Sequence, residues 1–263
     1  MDSKLSILIS SCDKFSDLWE ENINAYKKYW MNNPHETYLV TDKESTWDDE
    51  NVNLIVANGQ NDFPLRIKYA LNSIKSKYIL VTLDDYFLIN SVSNEKIDYL
   101  LKRMESEDIQ YLSLYNRRVT KEKKYKKLEE LTPIDLSWKY AITLYPAIWE
   151  TEFLRNAIKE DMSPWMFEPS LTKTAIATGA NCQASLSGVY DILDVVRKGK
   201  VLHKADRYFR KNNIDIGRRQ RISYFTEIKL FIMDFISWYM PKNISKRLKK
   251  LLRKLGFTFY SED

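Results

Sequence analysis

Glycine is scarce in this chain, with six in 263 residues. They lie far apart, so neither a GxGxxG nor a GxxxxGKS loop can be drawn anywhere. That excludes the usual forms of dinucleotide-binding and P-loop chemistry. Cysteine is nearly absent. Cys12 and Cys182 are too few for a disulfide framework and show no zinc-ligand spacing. There are two histidines, His35 and His203. No apolar run reaches the ~18 residues a membrane-spanning helix needs. The opening stretch MDSKLSILISSCDKF lacks the basic and apolar regions of a secretion signal. The expectation is a cytoplasmic protein.

What is present is a chain long enough for one large domain, rich in tyrosine and tryptophan, with unevenly spread charge. Residues 196–263 carry 18 Lys and Arg against 6 Asp and Glu, while the rest is net acidic. Such asymmetry points to an anionic partner near the C-terminus, either a membrane surface or a nucleic acid.

Strand-like and helix-like patterns alternate along the first half. KLSILIS (4–10), ETYLVTD (36–42), NVNLIVA (51–57) and KYILVTL (77–83) read as strands, with a further strand at 109–115. Helices are expected over 15–30, with Leu18, Ile23, Tyr26 and Trp30 facing the core, and over 94–105. A third is expected over 62–76, with Asp62 as N-cap and Pro64 in the first turn. A charged loop is expected near 119–130. Further on, 138–149 reads as a strand, 151–160 as a helix capped by Thr151, and 162–170 as a turn or helix start. Alternation of this kind implies an α/β protein with a mostly parallel central sheet flanked by helices. Ligands bind such sheets beyond the carboxyl ends of the strands. Three strand ends here carry acid: Cys12-Asp13, Thr41-Asp42 and Asp84-Asp85.

The Asp84-Asp85 pair closes an apolar strand with two like charges. Held close, two carboxylates repel, and one takes up a proton unless a cation lies between them. A divalent cation bridging to a diphosphate removes that cost. The plainer alternative has one Asp capping the next turn and the other solvated. Arg66, on the helix after the third strand, is either turned toward an anion or solvated like most isolated arginines. Cys12 has no visible acid–base partner and reads as a small buried residue.

The strand end YILVTLDDYFL, the preceding helix PLRIKYALNSIKS and the opening ISSCDKFSDLW resemble bacterial glycosyltransferases of the GT-A fold, family 2-like, from capsular and surface polysaccharide pathways. The resemblance covers residues 4–90 and, in patches, continues to about 205. It implies a GT-A-like catalytic domain over 1–215, which leaves 216–263 as a separate helical segment expected to associate with a membrane. It also implies a nucleotide-sugar donor, a divalent metal (Mn or Mg) and a lipid-linked glycan acceptor. The family's DxD-type motif reads Asp84-Asp85-Tyr86 here, which is not a strict Asp-x-Asp. Carried over, Asp85 is the metal ligand and Asp84 contacts the sugar or ribose. Asp13 lies near the nucleotide, Asp42 near the base, and Arg66 toward the diphosphate or donor sugar. An acidic residue in the second half serves as general base in inverting members. Glu168, between Trp165 and Phe167 in SPWMFE, is the candidate, with the aromatic neighbours lowering the local dielectric and raising its pKa. Alternatively, Trp165 packs in the core and Glu168 caps a helix. His203 corresponds to the late histidine that completes the metal shell in many members; a lone histidine is otherwise structural or solvated.

In the C-terminal segment, 222–240 is apolar on nearly every face but interrupted by Lys229 and Asp234, with Pro241 ending it. Residues 244–255 then place Ile244, Leu248, Leu251, Leu252 and Leu255 on one stripe among basic residues, with Gly256 as a stop. These C-terminal basic amphipathic helices suit an anionic membrane surface, which would place the protein on the inner face of the cell membrane. The bland reading is a helix docked on the core with its basic face in water. Few aromatics interleave with the basic cluster, so no nucleic-acid partner is expected. Two other readings stay open: a metal-dependent nucleotidyltransferase or phosphohydrolase, and a non-catalytic basic membrane- or RNA-binding protein.

Overall fold

β1 (Leu5–Ser10) is buried along its whole length. A strand of Leu and Ile covered on both faces belongs in the middle of a parallel sheet, and β1 lies there. In the computed structural model, which describes residues 4–60, 62–114, 131–138, 140–159, 164–185, 189–217, 219–239 and 242–254, the chain forms two compact units, Met1–Leu193 and Asp194–Asp263.

In the first unit, β1 leads through a 3-10 turn, Asp13–Leu18, into α1 (Trp19–Tyr29). Leu18, Ile23, Tyr26 and Trp30 are all buried, as their spacing requires. β2 (Glu36–Thr41), β3 (Val52–Val56), α2 (Phe63–Leu71) and β4 (Tyr78–Leu83) follow. Asp62 occupies the N-cap position of α2, but its side chain makes no capping hydrogen bond; its carbonyl accepts from Arg66 N at 3.1 Å. Next come β5 (Tyr86–Leu88), α3 (Asn94–Ser106) and β6 (Ile109–Ser113). Ser93 caps α3 through its hydroxyl, which accepts from Lys96 N. β7 (Leu131–Pro133), β8 (Ala147–Glu150), α4 (Thr151–Ala157), α5 (Pro164–Thr178), β9 (Asn181–Ser185) and β10 (Ile192–Asp194) complete the series.

Eight strands form one sheet in the order β3-β2-β1-β4-β8-β6-β9-β7. β1 runs parallel to both β2 and β4, β2 to β3, and β6 to β9; β8 is antiparallel to β4 and β6, and β7 to β9. The chain therefore builds β2 and β3 on one side of β1 and then crosses to lay β4 on the other. The crevice beyond the carboxyl ends of β1 and β4 is the topological switch point of the sheet. On the β8 side, Trp149 stands opposite Tyr111 of β6, the rings 4.5 Å apart and edge to face. Cross-strand aromatic pairs of this kind stabilise a ladder beyond their area burial.

Two sequence expectations differ here. Among the described residues, the strand expected at 138–149 is extended only from Ala147, where β8 begins, and it runs on to Glu150. The preceding amides are taken by side chains instead of a neighbouring strand: Ile142 N donates to Thr172 Oγ1 at 3.1 Å and Leu144 N to Glu168 Oε1 at 2.9 Å. Thr151 is the first residue of α4, with Glu150 as its N-cap; the Thr151 hydroxyl donates to Ser76 O at 2.8 Å. The charged loop near 119–130, the side chain of Trp165, and Pro241, Leu255 and Gly256 lie outside the described residues.

The second unit contains a small ribbon of β11 (Val196–Arg197) and β12 (Lys200–Val201), then α6 (His203–Asn212), α7 (Tyr224–Tyr239) and α8 (Lys242–Lys254). Among the described residues no helix is long and apolar enough to cross a membrane.

Candidate active site

The register Ser10↔Leu83 puts the ends of β1 and β4 side by side, so Ser11 and Asp84 meet one step beyond. The Ser11 hydroxyl donates to Asp84 Oδ2. Trp19 Nε1, from the start of α1, donates to the same Ser11 oxygen at 2.6 Å. Asn22, one turn further along α1, donates through Nδ2 to the carbonyls of Asp84 at 3.0 Å and Tyr86 at 3.2 Å. The acidic turn is thus clamped by one group from the end of β1 and two from α1: a hydroxyl on one carboxylate, an indole behind it and an amide across the backbone. Asp84 is buried, and Asp85 is half-buried at the tip of the turn.

The second pair of strand ends is joined similarly. Asp42 Oδ1 accepts from the Asp13 backbone N–H at 2.7 Å, tying the end of β2 to the end of β1. Asp13 in turn pairs with Lys43 at 3.2 Å. Arg66 is buried, with its Nη1 donating to Gln60 O at 3.3 Å and its guanidinium 5.9 Å from the Phe63 ring centre. The solvated reading of this arginine does not hold. Cys12 reports how these groups converge: burial first, then the charges of Asp84 and Asp42, raise its thiol pKa, while Arg66 pulls it down. Asp42, Arg66 and Asp84 thus act on Cys12 at the ends of β1, β2 and β4, with Asp13 tied to Asp42 and Asp85 next to Asp84 in the turn.

Glu168, on α5, holds the loop before β8. Its carboxylate holds Leu144 N, and its charge, after burial, raises the Tyr140 pKa. The next residue, Tyr145, stacks on Tyr86 with ring centres 5.1 Å apart, and Tyr86 follows Asp85. Phe167, the preceding residue of α5, is fully buried and meets Phe63 at 6.3 Å. The aromatic residue beside Glu168 thus belongs to the core, and Tyr140 and Tyr145 supply aromatic surface on the loop.

His203 lies in the second unit, at the start of α6. Its ring stacks on Tyr224 at 3.7 Å, its Nε2 stands 3.8 Å from Glu227 Oε2, and its backbone N–H donates to Glu227 Oε1 at 3.1 Å.

Among the described residues no group of three His, Cys, Asp or Glu side chains could hold a metal ion by itself. The donor set at the switch point is two consecutive carboxylates, one of them already hydrogen-bonded to Ser11. Hard oxygen ligands in that number fit Mg²⁺ or Mn²⁺ sharing its shell with a diphosphate, not a cation caged by protein alone. A cleft of about 480 Å³, lined by Lys75, Lys77, Glu150 and Arg155 among others, lies at the opposite end of the sheet, where β4 begins. It is separate from the acidic strand ends.

Sequence reasoning missed Ser11, Trp19 and Asn22. Asn22 carried a readable signal, since it falls one turn from both Leu18 and Tyr26 on the buried stripe of α1, where a polar residue needs partners.

The fold is the α/β, GT-A-like arrangement expected, a mostly parallel sheet flanked by helices. No protein-family model matches the chain, and no curated protein matches it in sequence. Solved structures do match in fold. One is S. aureus TarS, residues 1–349, with a TM-score of 0.51 and 14% identity over 72% of this chain and 59% of that one. Another is the mannosyltransferase PcManGT from Pyrobaculum calidifontis in complex with GDP-Man and Mn²⁺, with a TM-score of 0.50 and 13% identity over 83% of this chain and 66% of that one. The present chain therefore spans 59% and 66% of the lengths of these two proteins.

Proposed function

We propose that the protein is a glycosyltransferase that moves a sugar from a nucleotide-sugar donor to a lipid-linked surface glycan, with metal assistance and inversion at the anomeric carbon. The observation that carries this reading is the cluster of Asp13, Asp42, Asp84, Asp85 and buried Arg66 at the switch point of a GT-A-like sheet. The complex of PcManGT with GDP-Man and Mn²⁺ supports the same donor class.

In this reading Asp85 would hold a divalent cation, sharing its shell with the diphosphate. The cation would neutralise the diphosphate of the leaving nucleotide. Asp84, fixed by Ser11, orients the sugar or ribose; Asp13 lies by the nucleotide and Asp42 by the base. Arg66 adds fixed positive charge where negative charge develops on the diphosphate. Glu168 takes the proton of the acceptor hydroxyl as its oxygen bonds to the anomeric carbon. The bond from that carbon to the diphosphate breaks, and a nucleoside diphosphate leaves with the electron pair.

The test is product analysis with a panel of UDP-, GDP- and CMP-sugars, with and without Mn²⁺. Release of nucleotide from one donor, dependent on acceptor and on Asp85, supports transfer. Pyrophosphate or inorganic phosphate as the product would instead identify a nucleotidyltransferase or phosphohydrolase.

A further inference from the structure

Seven of the twelve large apolar side chains that stand exposed among the described residues fall between 224 and 251. On α7 they are not scattered. At ~100° per residue, Tyr224, Ile228, Phe231 and Phe235 lie within an arc of about 60°, with Phe225 beside them. Phe225 is 75% exposed and Phe231 69%. Phe231 and Phe235 stack on one another along this face.

α8 carries the argument further. Its register puts Ile244, Leu248 and Leu251 on one stripe. A basic amphipathic helix docked on its own protein hides such a stripe and leaves its lysines in water. Here the stripe is not hidden: Ile244 and Leu251 are 52% and 58% exposed, while Lys249, on the opposite side, is 6% exposed. Arg247 and Lys250, to one side of the stripe, are exposed. The bland reading of α8 is therefore overturned. α8 contains seven Lys and Arg and no acid, and it packs against α7.

We infer that α7 and α8 form a docking surface for an anionic lipid bilayer, with the aromatic and aliphatic side chains at the acyl boundary and the cations among the headgroups. Charge selects this occupant. A second copy would bring two strongly cationic segments together, whereas anionic headgroups complement them. The inference stands on the second unit alone and does not depend on the transfer reaction.

The experiment is sedimentation of the full chain with vesicles of phosphatidylcholine alone, or mixed in equal parts with phosphatidylglycerol. Three variants accompany the wild type: Phe231→Ser with Phe235→Ser, Ile244→Ser with Leu251→Ser, and Arg247→Glu with Lys250→Glu. The wild type should sediment with phosphatidylglycerol vesicles and not with phosphatidylcholine. Each pair should weaken binding by about tenfold or more with the melting temperature held, because the replaced side chains are exposed. Absence of wild-type sedimentation would overturn the inference, and so would undiminished binding by all three variants. A Phe231/Phe235 variant that turns an oligomer into a monomer and leaves vesicle binding intact would show that a second copy covers the face. Nucleotide binding measured on the same samples reports separately on the donor site, so failure of one reading is distinguishable from failure of the other.

Discussion

Ser11 and Asn22 explain how two adjacent carboxylates are tolerated at the end of a buried strand. Asp84 is held by the Ser11 hydroxyl, and the turn carrying Asp85 is held by the Asn22 amide. Hydrogen bonds to a carboxylate offset part of the cost of burying it. Cys12 gives a chemical probe of the same cluster. Its thiolate is disfavoured by burial and by Asp84 and Asp42, and the thiolate is the form that reacts. Asp84→Asn keeps a hydrogen-bond acceptor for Ser11 and removes one charge. Alkylation of Cys12 by iodoacetamide at pH 8 should become a few-fold faster in that variant. Cys182, buried and with its pKa pushed up to about 12, should stay inert in both proteins and serves as internal reference. An unchanged Cys12 rate would mean that Asp84 does not act on it.

At the scale of elements, the strands and helices of the first half were legible because their burial is simple. β1 and β4 are apolar runs covered on both faces, and α1 and α3 show a clean helical stripe. The acidic strand ends were legible for the same reason, since an Asp directly after such a run marks the edge of the sheet. The segment before β8 was not legible. Its apolar residues resemble a strand, but its amides are satisfied by Thr172 and Glu168, 30 and 24 residues away in sequence, and a local pattern does not encode such partners. That contact makes Glu168→Gln informative. The glutamine oxygen can still accept from Leu144 N, so stability should stay within about 1 kcal/mol of wild type. Sugar transfer should fall by two orders of magnitude or more if the carboxylate takes the acceptor proton. Unimpaired transfer in a stable Glu168→Gln protein would leave Glu168 with the loop-holding role alone.

α1 is also tied to the segment before β10, through a hydrogen bond between the buried hydroxyls of Tyr26 and Tyr190. Burial raises both phenol pKa values above the ordinary value of 10. The folded state therefore keeps these protons after the unfolded chain has begun to lose them. This contribution to stability is complete below pH 10 and declines as pH rises above it, by up to about 1.4 kcal/mol per pH unit for each group. Denaturant midpoints should hold steady from pH 7 to 9 and fall above 10. The fall should be shallower in Tyr26→Phe/Tyr190→Phe. An equal slope in both proteins would mean that other groups govern alkaline unfolding.

Over the whole molecule, the two units divide the charge between them. The acidic strand ends lie in the first unit, and the second carries the positive excess and the exposed aromatic face. That division was visible in the sequence as a charge asymmetry, but which side of α8 faces outward was not, because a helical wheel gives the stripe and not its orientation. The proposed donor site and the proposed lipid-docking surface thus fall in different units, and each is tested by its own measurement.

The central claim is that the switch point binds a nucleotide through a cation on Asp85. Calorimetric titration of UDP, GDP and CMP, with and without Mn²⁺, against wild type and Asp85→Asn tests it most directly. The account predicts that one nucleotide binds the wild type, that its binding depends on Mn²⁺, and that Asp85→Asn weakens it by at least about tenfold. No binding of any of the three under either condition, or equal Mn²⁺-dependent binding by Asp85→Asn, would contradict it.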